Sequence, residues 1–343
     1  MLDKTRLDAK RLDKKLRGLL AGLLVALLAS VSACAGTGDG PAATIRIAVQ
    51  QQNFSTIPLT LAQDLGFMRD EGLTLDTTVG QATSTMTAGL LGGSFDLQIG
   101  GAELLVARAQ GAPLVAIAGM CNAPVWSVVA KPGITSLGDL RGKTIATSGP
   151  DSVSTVAFVA TLKHLGVQPD SYHQITAGGT AERYTAVRNG QADATILSSP
   201  LEFQAGEQGL KNLGSLTDAL PRFVAGFVAT TEAYAAKNAA GLQRFSRAWV
   251  RTLRWMHDPA NASDLVTRVA RILKTPEPVI RQAYQYWLTG PRASVLFPAD
   301  GKIDPAALDG SAQAFVDNGS LKPGQADLTG FIVNDYLDQA AKH

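Results

Sequence analysis

Five short polar runs stand where strand-like segments give way to helices, and they carry the side chains best suited to holding a small molecule. In Gln50-Gln51-Gln52-Asn53-Phe54, the amides of Gln52 and Asn53 could hydrogen-bond and the ring of Phe54 could stack; the alternative is a solvated polar loop. Gln81-Ala82-Thr83-Ser84-Thr85 opens a helix. One hydroxyl of Thr83, Ser84 and Thr85 would cap that helix, and another, with free backbone N–H groups, would grip an anion. In Gly100-Gly101-Ala102-Glu103, Gly101 lets backbone approach a ligand, and Glu103 either pairs with a ligand ammonium or stands as a first-turn helix acid. Ser148 to Thr155 opens the next helix with Ser148, Ser152 and Ser154. Asp151 in that run would repel an anion unless it turns away, which keeps amine-bearing ligands open. Ser198-Ser199-Pro200 is the fifth run, with Ser199 either contacting ligand or capping a helix. A helix start presents unpaired N–H groups and the positive end of a dipole, which suits a carboxylate, sulfonate or phosphate.

Other chemistries lack their residues. There is no P-loop, no G-x-G-x-x-G and no Ser/His/Asp set that spacing brings together, so no catalytic residue is assigned and no enzyme is expected. The four histidines (His164, His173, His257, His343) have no ligand spacing, so neither metal nor cofactor is predicted. Cys121 reads either as a reactive thiol or, more simply, as a small buried apolar residue.

The elements that must position these runs alternate. Strand-like Thr44–Val49, Leu73–Val79, Asp96–Gly100 and Leu114–Met120 are separated by helical 58–69, 83–91 and 102–110. The pattern restarts with Trp126–Ala130, Lys143–Ser148, His173–Thr176 and Ala192–Leu197, separated by helical 151–165 and 180–189. Such alternation predicts parallel βαβ units in an α/β protein. A strand over 222–230 follows, and the remainder is mostly helical. Trp126 is placed as a hinge or cleft wall, or as a core residue.

The N-terminal end differs in kind. Seven Lys/Arg and three Asp fall in residues 1–33, all of them ahead of the apolar run Leu19 to Leu28, and Val31-Ser32-Ala33-Cys34 follows. Basic region, apolar run and small residues are the order of an export signal. The run is shorter than the roughly 20 apolar residues that cross a bilayer. Val31-Ser32-Ala33-Cys34 resembles a bacterial lipobox, with Cys34 as the lipidation site; a plainly cleaved signal is the alternative. Residues 34–43 read as a flexible tether. With the first 33 residues removed, 24 basic residues face 26 acidic ones, so a basic nucleic-acid footprint is missing and no nucleic-acid partner is expected.

Four stretches resemble the nitrate/sulfonate/taurine group of ABC-importer binding proteins, which includes binders of thiamine-pyrimidine precursors. Ile57 to Leu73 is similar to P-L-x-x-A-x-x-x-G-x-[FM]-x-x-E-G-L, Asp139 to Ala146 to D-L-[KR]-G-K-x-[IV]-[AG], Ala186 to Ala194 to A-[LV]-x-x-G-x-[VA]-D-A, and Gly93 to Asp96 to G-[ST]-x-D. Most of these positions read as turns and helix stops. The resemblance implies a type II periplasmic-binding-protein-like fold with a cleft between two lobes. It divides the chain into lobe I (44–124), lobe II (125–225) and a return to lobe I (226–343), and turns the five runs toward the cleft. It further implies capture of a small polar or anionic organic solute by hinge closure, with an ABC permease and ATPase complex as partners and the membrane reached through the N-terminal lipid. A heteroaromatic nutrient, or a pyrimidine-precursor synthase on the same fold, are the alternatives. The expected location is the periplasm or the outer face of the bacterial cytoplasmic membrane.

Overall fold

The computed structural model describes residues 43–80, 82–325 and 328–342. The export signal, Cys34 and the tether through residue 42 lie outside the described residues. Ten strands form two sheets. They are β1 (Ala43–Val49), β2 (Leu73–Val79), β3 (Leu97–Gly100), β4 (Leu114–Cys121), β5 (Trp126–Ala130), β6 (Thr144–Thr147), β7 (His173–Thr176), β8 (Ala194–Ser198), β9 (Lys211–Ser215) and β10 (Gly226–Thr231). The first sheet runs β2-β1-β3-β10-β4 and the second β7-β6-β8-β5-β9.

The two sheets share one design. In each, three strands are parallel, with the earliest in the middle (β1 between β2 and β3; β6 between β7 and β8). The strand that has just crossed from the other sheet, β5 or β10, then pairs antiparallel with the third. Strands β4, β5 and β8 are buried along their whole length, and their sequences are mostly apolar without strict alternation. Edge strand β2 alternates buried and exposed residues at its start.

An aspartate fixes the register in each sheet. Asp96, just before β3, accepts from the Arg46 N–H of β1 at 2.8 Å, and its own N–H donates back to the Arg46 carbonyl at 2.8 Å. Asp193, before β8, accepts from the Thr144 N–H of β6 at 2.9 Å and donates to the Thr144 carbonyl at 2.7 Å. Arg46 completes the first clamp with two guanidinium contacts to Asp96, and Lys131 reaches Asp193 at 3.2 Å in the second. These are the aspartates of two of the sequence motifs, and their work is structural. The single helix expected over 58–69 is two, Ile57–Asp64 and Phe67–Asp70, because Gly66 adopts a left-handed φ of 79° between them.

The C-terminal helices touch both sheets' partners. Ala239–His257 packs on Ile57–Asp64 and Phe67–Asp70, whereas Glu277–Trp287 packs on Leu201–Glu207, and Pro305–Asp317 on Val153–His164. One of these contacts holds an acid in the core. Glu202 is 1% exposed, and Trp287 Nε1 donates to its Oε1 at 3.1 Å. Burial pushes the Glu202 carboxyl up to about 7, against the pull of the Trp287 hydrogen bond. The unfolded chain ionises this group near its ordinary value, so unfolding releases a proton between about pH 4.5 and 7 and stability falls with rising pH across that window. Glu202→Gln keeps the acceptor and removes the charge. Its stability advantage over wild type should grow by about 3 kcal/mol between roughly pH 4 and 8 in urea denaturation; a pH-independent difference would contradict the assignment.

Candidate functional site

The strand ends direct their loops into a cleft of about 1510 Å³. From the first sheet it is lined by Gln50 and Gln51 after β1, by Gly80, Ala82, Thr83 and Ser84 after β2 and by one face of the helix Thr83–Leu91. The helix Glu103–Ala109 after β3 adds Glu103 and Val106. From the second sheet come Ser148 and Asp151 to Ser154 after β6, Gly178 to Arg183 after β7, and Trp126 at the start of β5. Gly319 and Ser320 close one side. Parallel strands of an open α/β sheet present their ligand loops at their C-terminal ends, and both sheets do so here toward one space.

Arg183 is the strongest charged feature of the wall. It lies in the helix Thr180–Arg188 and is 2% exposed. Nε donates to the Ile196 carbonyl at 3.0 Å, Nη1 to the Ser148 hydroxyl and to the Gly178 carbonyl at 2.9 Å, and Nη2 to the Thr180 hydroxyl at 3.1 Å. All four acceptors are neutral. A guanidinium has five N–H donors, so one on Nη2 is left over. Burial lowers the Arg183 pKa to about 10, with the Glu182 charge opposing, so the group stays cationic at neutral pH. Among the described residues no carboxylate lies within ion-pair distance of it.

Beside it the helix Val153–His164 begins. Ser152 is its cap and accepts from the Thr155 N–H at 3.4 Å; the Ser152 and Thr155 hydroxyls lie 2.9 Å apart. Ser148 and Ser154 hydroxyls are 3.1 Å apart, which joins the Arg183 network to the helix start. Asp151 stays on the cleft wall, where the Ser320 hydroxyl, also lining, donates to its carboxylate at 2.7 Å. Across from this helix, Glu103 accepts from the Gly101 N–H at 3.1 Å through Oε1, while Oε2 is buried without a hydrogen-bond partner. Burial raises the Glu103 pKa, with backbone N–H groups of Glu103 itself and of Gly101 opposing.

The structure brings together Thr83, Ser84, Ser148, Ser152 and Ser154 of the residues proposed from sequence. Gly101 sits against Val153 and Glu103 at the rim without forming lining. Thr85 is exposed on the outer face of its helix. Gln52 donates to the Thr60 hydroxyl at 3.1 Å, and Asn53 spends its side chain capping the turn Phe54–Thr56. Phe54 is 1% exposed and packs against Phe297, 6.3 Å between ring centres. Ser199 is buried, and its carbonyl accepts from the Phe54 N–H at 3.0 Å, so these two loops meet behind the cleft. Trp126 is both wall and core at 7% exposed. Arg183, Thr180 and Ser320 were not anticipated. Gly178-Gly179 was the available signal, since it precedes a helix after a parallel strand, as the other lining loops do. Cys121 is buried, and burial pushes its thiol pKa well up. Among the described residues no group of three His, Cys, Asp or Glu side chains could hold a metal.

A family model described as NMT1/THI5 like matches residues 53–262. No curated protein sequence matches the chain. Among solved structures, the alkanesulfonate-binding protein SsuA from Xanthomonas axonopodis pv. citri, bound to MOPS, is 18% identical with a TM-score of 0.69, over 86% of this chain and 99% of that one. The periplasmic nitrate-binding protein NrtA from Synechocystis is 12% identical with a TM-score of 0.71, over 89% and 90%. The desulfurization enzyme DSZB is 16% identical with a TM-score of 0.66, over 87% and 99%. The likeness is one of fold, and the fold is that of the periplasmic binding proteins.

The cap and the opposite hydroxyl separate in a stability measurement. Ser152→Ala should cost about 1 kcal/mol in urea denaturation, because it strips the helix of its cap. Ser84→Ala, on an exposed residue, should stay within about 0.5 kcal/mol of wild type. Equal effects would mean that the Ser152 cap is not formed.

Proposed function

Because this chain belongs to the NMT1/THI5-like family, we propose that it is an exported solute-binding protein that captures a small polar or anionic organic molecule for an ABC importer. The observation that carries this reading is the buried Arg183 guanidinium on the wall of a cleft shared by two sheets. A fixed cation with a spare N–H, next to a capped helix start, suits a carboxylate, sulfonate or similar oxyanion. Thr83, Ser84, Ser148, Ser152 and Ser154 supply hydroxyls from both sides.

Capture works by closure. The chain passes between the sheets in the short segments 122–125 and 216–225, which are the hinge in this reading. A ligand touching both walls binds the closed form better than the open one, and that difference in affinity shifts the population. Closure then offers both lobes together to the permease and ATPase complex. Cys34, acylated after removal of residues 1–33, would hold the protein at the outer face of the membrane. Among the described residues no helix is long and apolar enough to cross a membrane.

Trp126 on the wall favours a second reading, a heteroaromatic ligand such as a thiamine-pyrimidine precursor, stacked on the indole.

Mass spectrometry of small molecules released from freshly purified, untagged protein should yield a polar organic solute that raises the melting temperature when added back. Release of nothing, with no shift from sulfonates, carboxylates or pyrimidines, would end the proposal. Cys34→Ala should move the protein from the membrane fraction to the soluble fraction; unchanged membrane association would refute the lipid anchor.

A further inference from the structure

Charge is shared unevenly along this chain. Residues 239–287 hold eight Lys/Arg and three Asp/Glu, whereas the rest of residues 34–343 holds sixteen and twenty-three. Two helical stripes carry the positive excess. On the helix Ala239–His257, Arg247, Arg251 and Arg254 recur at the i, i+4, i+7 spacing of one face. On the helix Ala262–Leu273, Arg268 and Arg271 repeat the arrangement, and Lys274 follows at its end.

Both stripes flank the helices Ile57–Asp64 and Phe67–Asp70. Arg247 binds Glu71 at 2.7 Å, and Arg251 binds Asp70 at 2.9 Å. Asp64 accepts from both Arg268 and Arg271. These pairs hold the stripes in place without neutralising them. Counting Arg69 and Arg281 with their neighbours Asp64, Asp70, Glu71, Asp264 and Glu277, positive groups outnumber negative ones eight to five. The side chains of Arg251 and Arg271 are 55% and 62% exposed. Arg254 and Lys274 are exposed as well, with no ion-pair partner among the described residues.

This surface lies at the end of the first sheet away from the cleft. Gln50 and Gln51, just past the end of β1, line the cleft. Ala43, at the start of β1, donates its N–H to the Gly72 carbonyl at 3.0 Å. Gly72 directly follows Asp70 and Glu71, and a Cβ on it would meet the Arg244 guanidinium of the helix Ala239–His257 at 3.3 Å. Strand β1 therefore begins beside the first arginine stripe. Nine peptide links join Ala43 to Cys34, a span of at most about 30 Å.

We propose that this arginine face docks on an anionic bilayer surface, that of the membrane holding the Cys34 lipid, and so turns the mouth of the cleft away from the membrane. A lipid on Cys34 keeps this end of the molecule within reach of the headgroups. Basic side chains are drawn to such a surface over about a Debye length, and a basic patch is the second signal that steadies a lipid anchor. The proposal rests on the reading of Cys34 as the anchor and adds an orientation to it. A protein docked this way collects solute from the outward side and must turn over to deliver it.

Fluorescence energy transfer measures that orientation. Protein purified from membranes is placed on vesicles with an acceptor dye among the headgroups. The donor dye sits at Thr267→Cys, an exposed residue one turn before Arg271, or at Leu91→Cys, on the cleft. Cys121 is buried and stays unlabelled. On vesicles of phosphatidylcholine with about a quarter phosphatidylglycerol, transfer from position 267 should exceed that from position 91 at least about twofold. Pure phosphatidylcholine should remove the difference, as should salt near 1 M, which cuts the Debye length to about 3 Å. Arg254→Glu combined with Lys274→Glu should remove it too, and breaks no ion pair. Lys211→Glu combined with Lys322→Glu, at exposed cations elsewhere, should leave it intact. Equal transfer from both positions on anionic vesicles overturns the proposal, and so does a difference that persists on pure phosphatidylcholine. Equal effects of the two charge-reversed pairs overturn it as well. Failure of wild type to stay on neutral vesicles refutes the lipid anchor alone; transfer on anionic vesicles then still decides the docking.

Discussion

A guanidinium cannot shed its charge to suit its surroundings, and Arg183 is almost wholly enclosed. Everything around it follows from making that tolerable. Two carbonyls and two hydroxyls take four of its five donors, and these come from β8, from the loop after β6, from Gly178 after β7 and from Thr180 in the same helix as Arg183. A charge held by neutral dipoles keeps its attraction for an outside anion, whereas an internal salt bridge would have consumed it. The same network fixes Ser148 against Ser154 and so sets where the helix Val153–His164 begins. The second wall of the cleft is therefore built before any ligand arrives, and a bound ligand loses little affinity to reordering it.

The opposite wall is organised on other terms. Its hydroxyls, Thr83 and Ser84, lie on a short helix, and its one buried ionisable group is a carboxyl with an unused oxygen. The walls are electrically unlike, although the sheets behind them repeat one plan down to the aspartate that ties the third strand to the first. Asp96 and Asp193 make the same pair of backbone bonds in the two sheets. The scaffold is duplicated and the chemistry is not, which is how one fold can serve ligands of different charge.

Much of the scaffold could be read from the sequence, because its signals are local. Mostly apolar runs without strict alternation announced β4, β5 and β8, and glycines after helices marked the stops. The run Ser148 to Thr155 was equally legible as a helix opening, but that Ser152 in particular caps it was not. What sequence could not convey was direction. Phe54 and Ser199 stand in loops of the right kind, yet they face inward and bond to each other. Arg183 is one arginine among several on helices, and only tertiary placement distinguishes it from a solvated one. Ser320 enters from a segment more than a hundred residues away, where no local pattern points to a role.

The position of β10 bears on how the chain can be assembled. It lies between β3 and β4, in the interior of the first sheet, although more than a hundred residues separate it from either in sequence. Until residue 231 has left the ribosome, β3 and β4 have no common neighbour, and a fully apolar strand waits unpaired. The second sheet needs nothing beyond residue 215 and is complete earlier. The segment translated first is thus the last to close its core, so a nascent chain of this design remains threadable until most of it has been made.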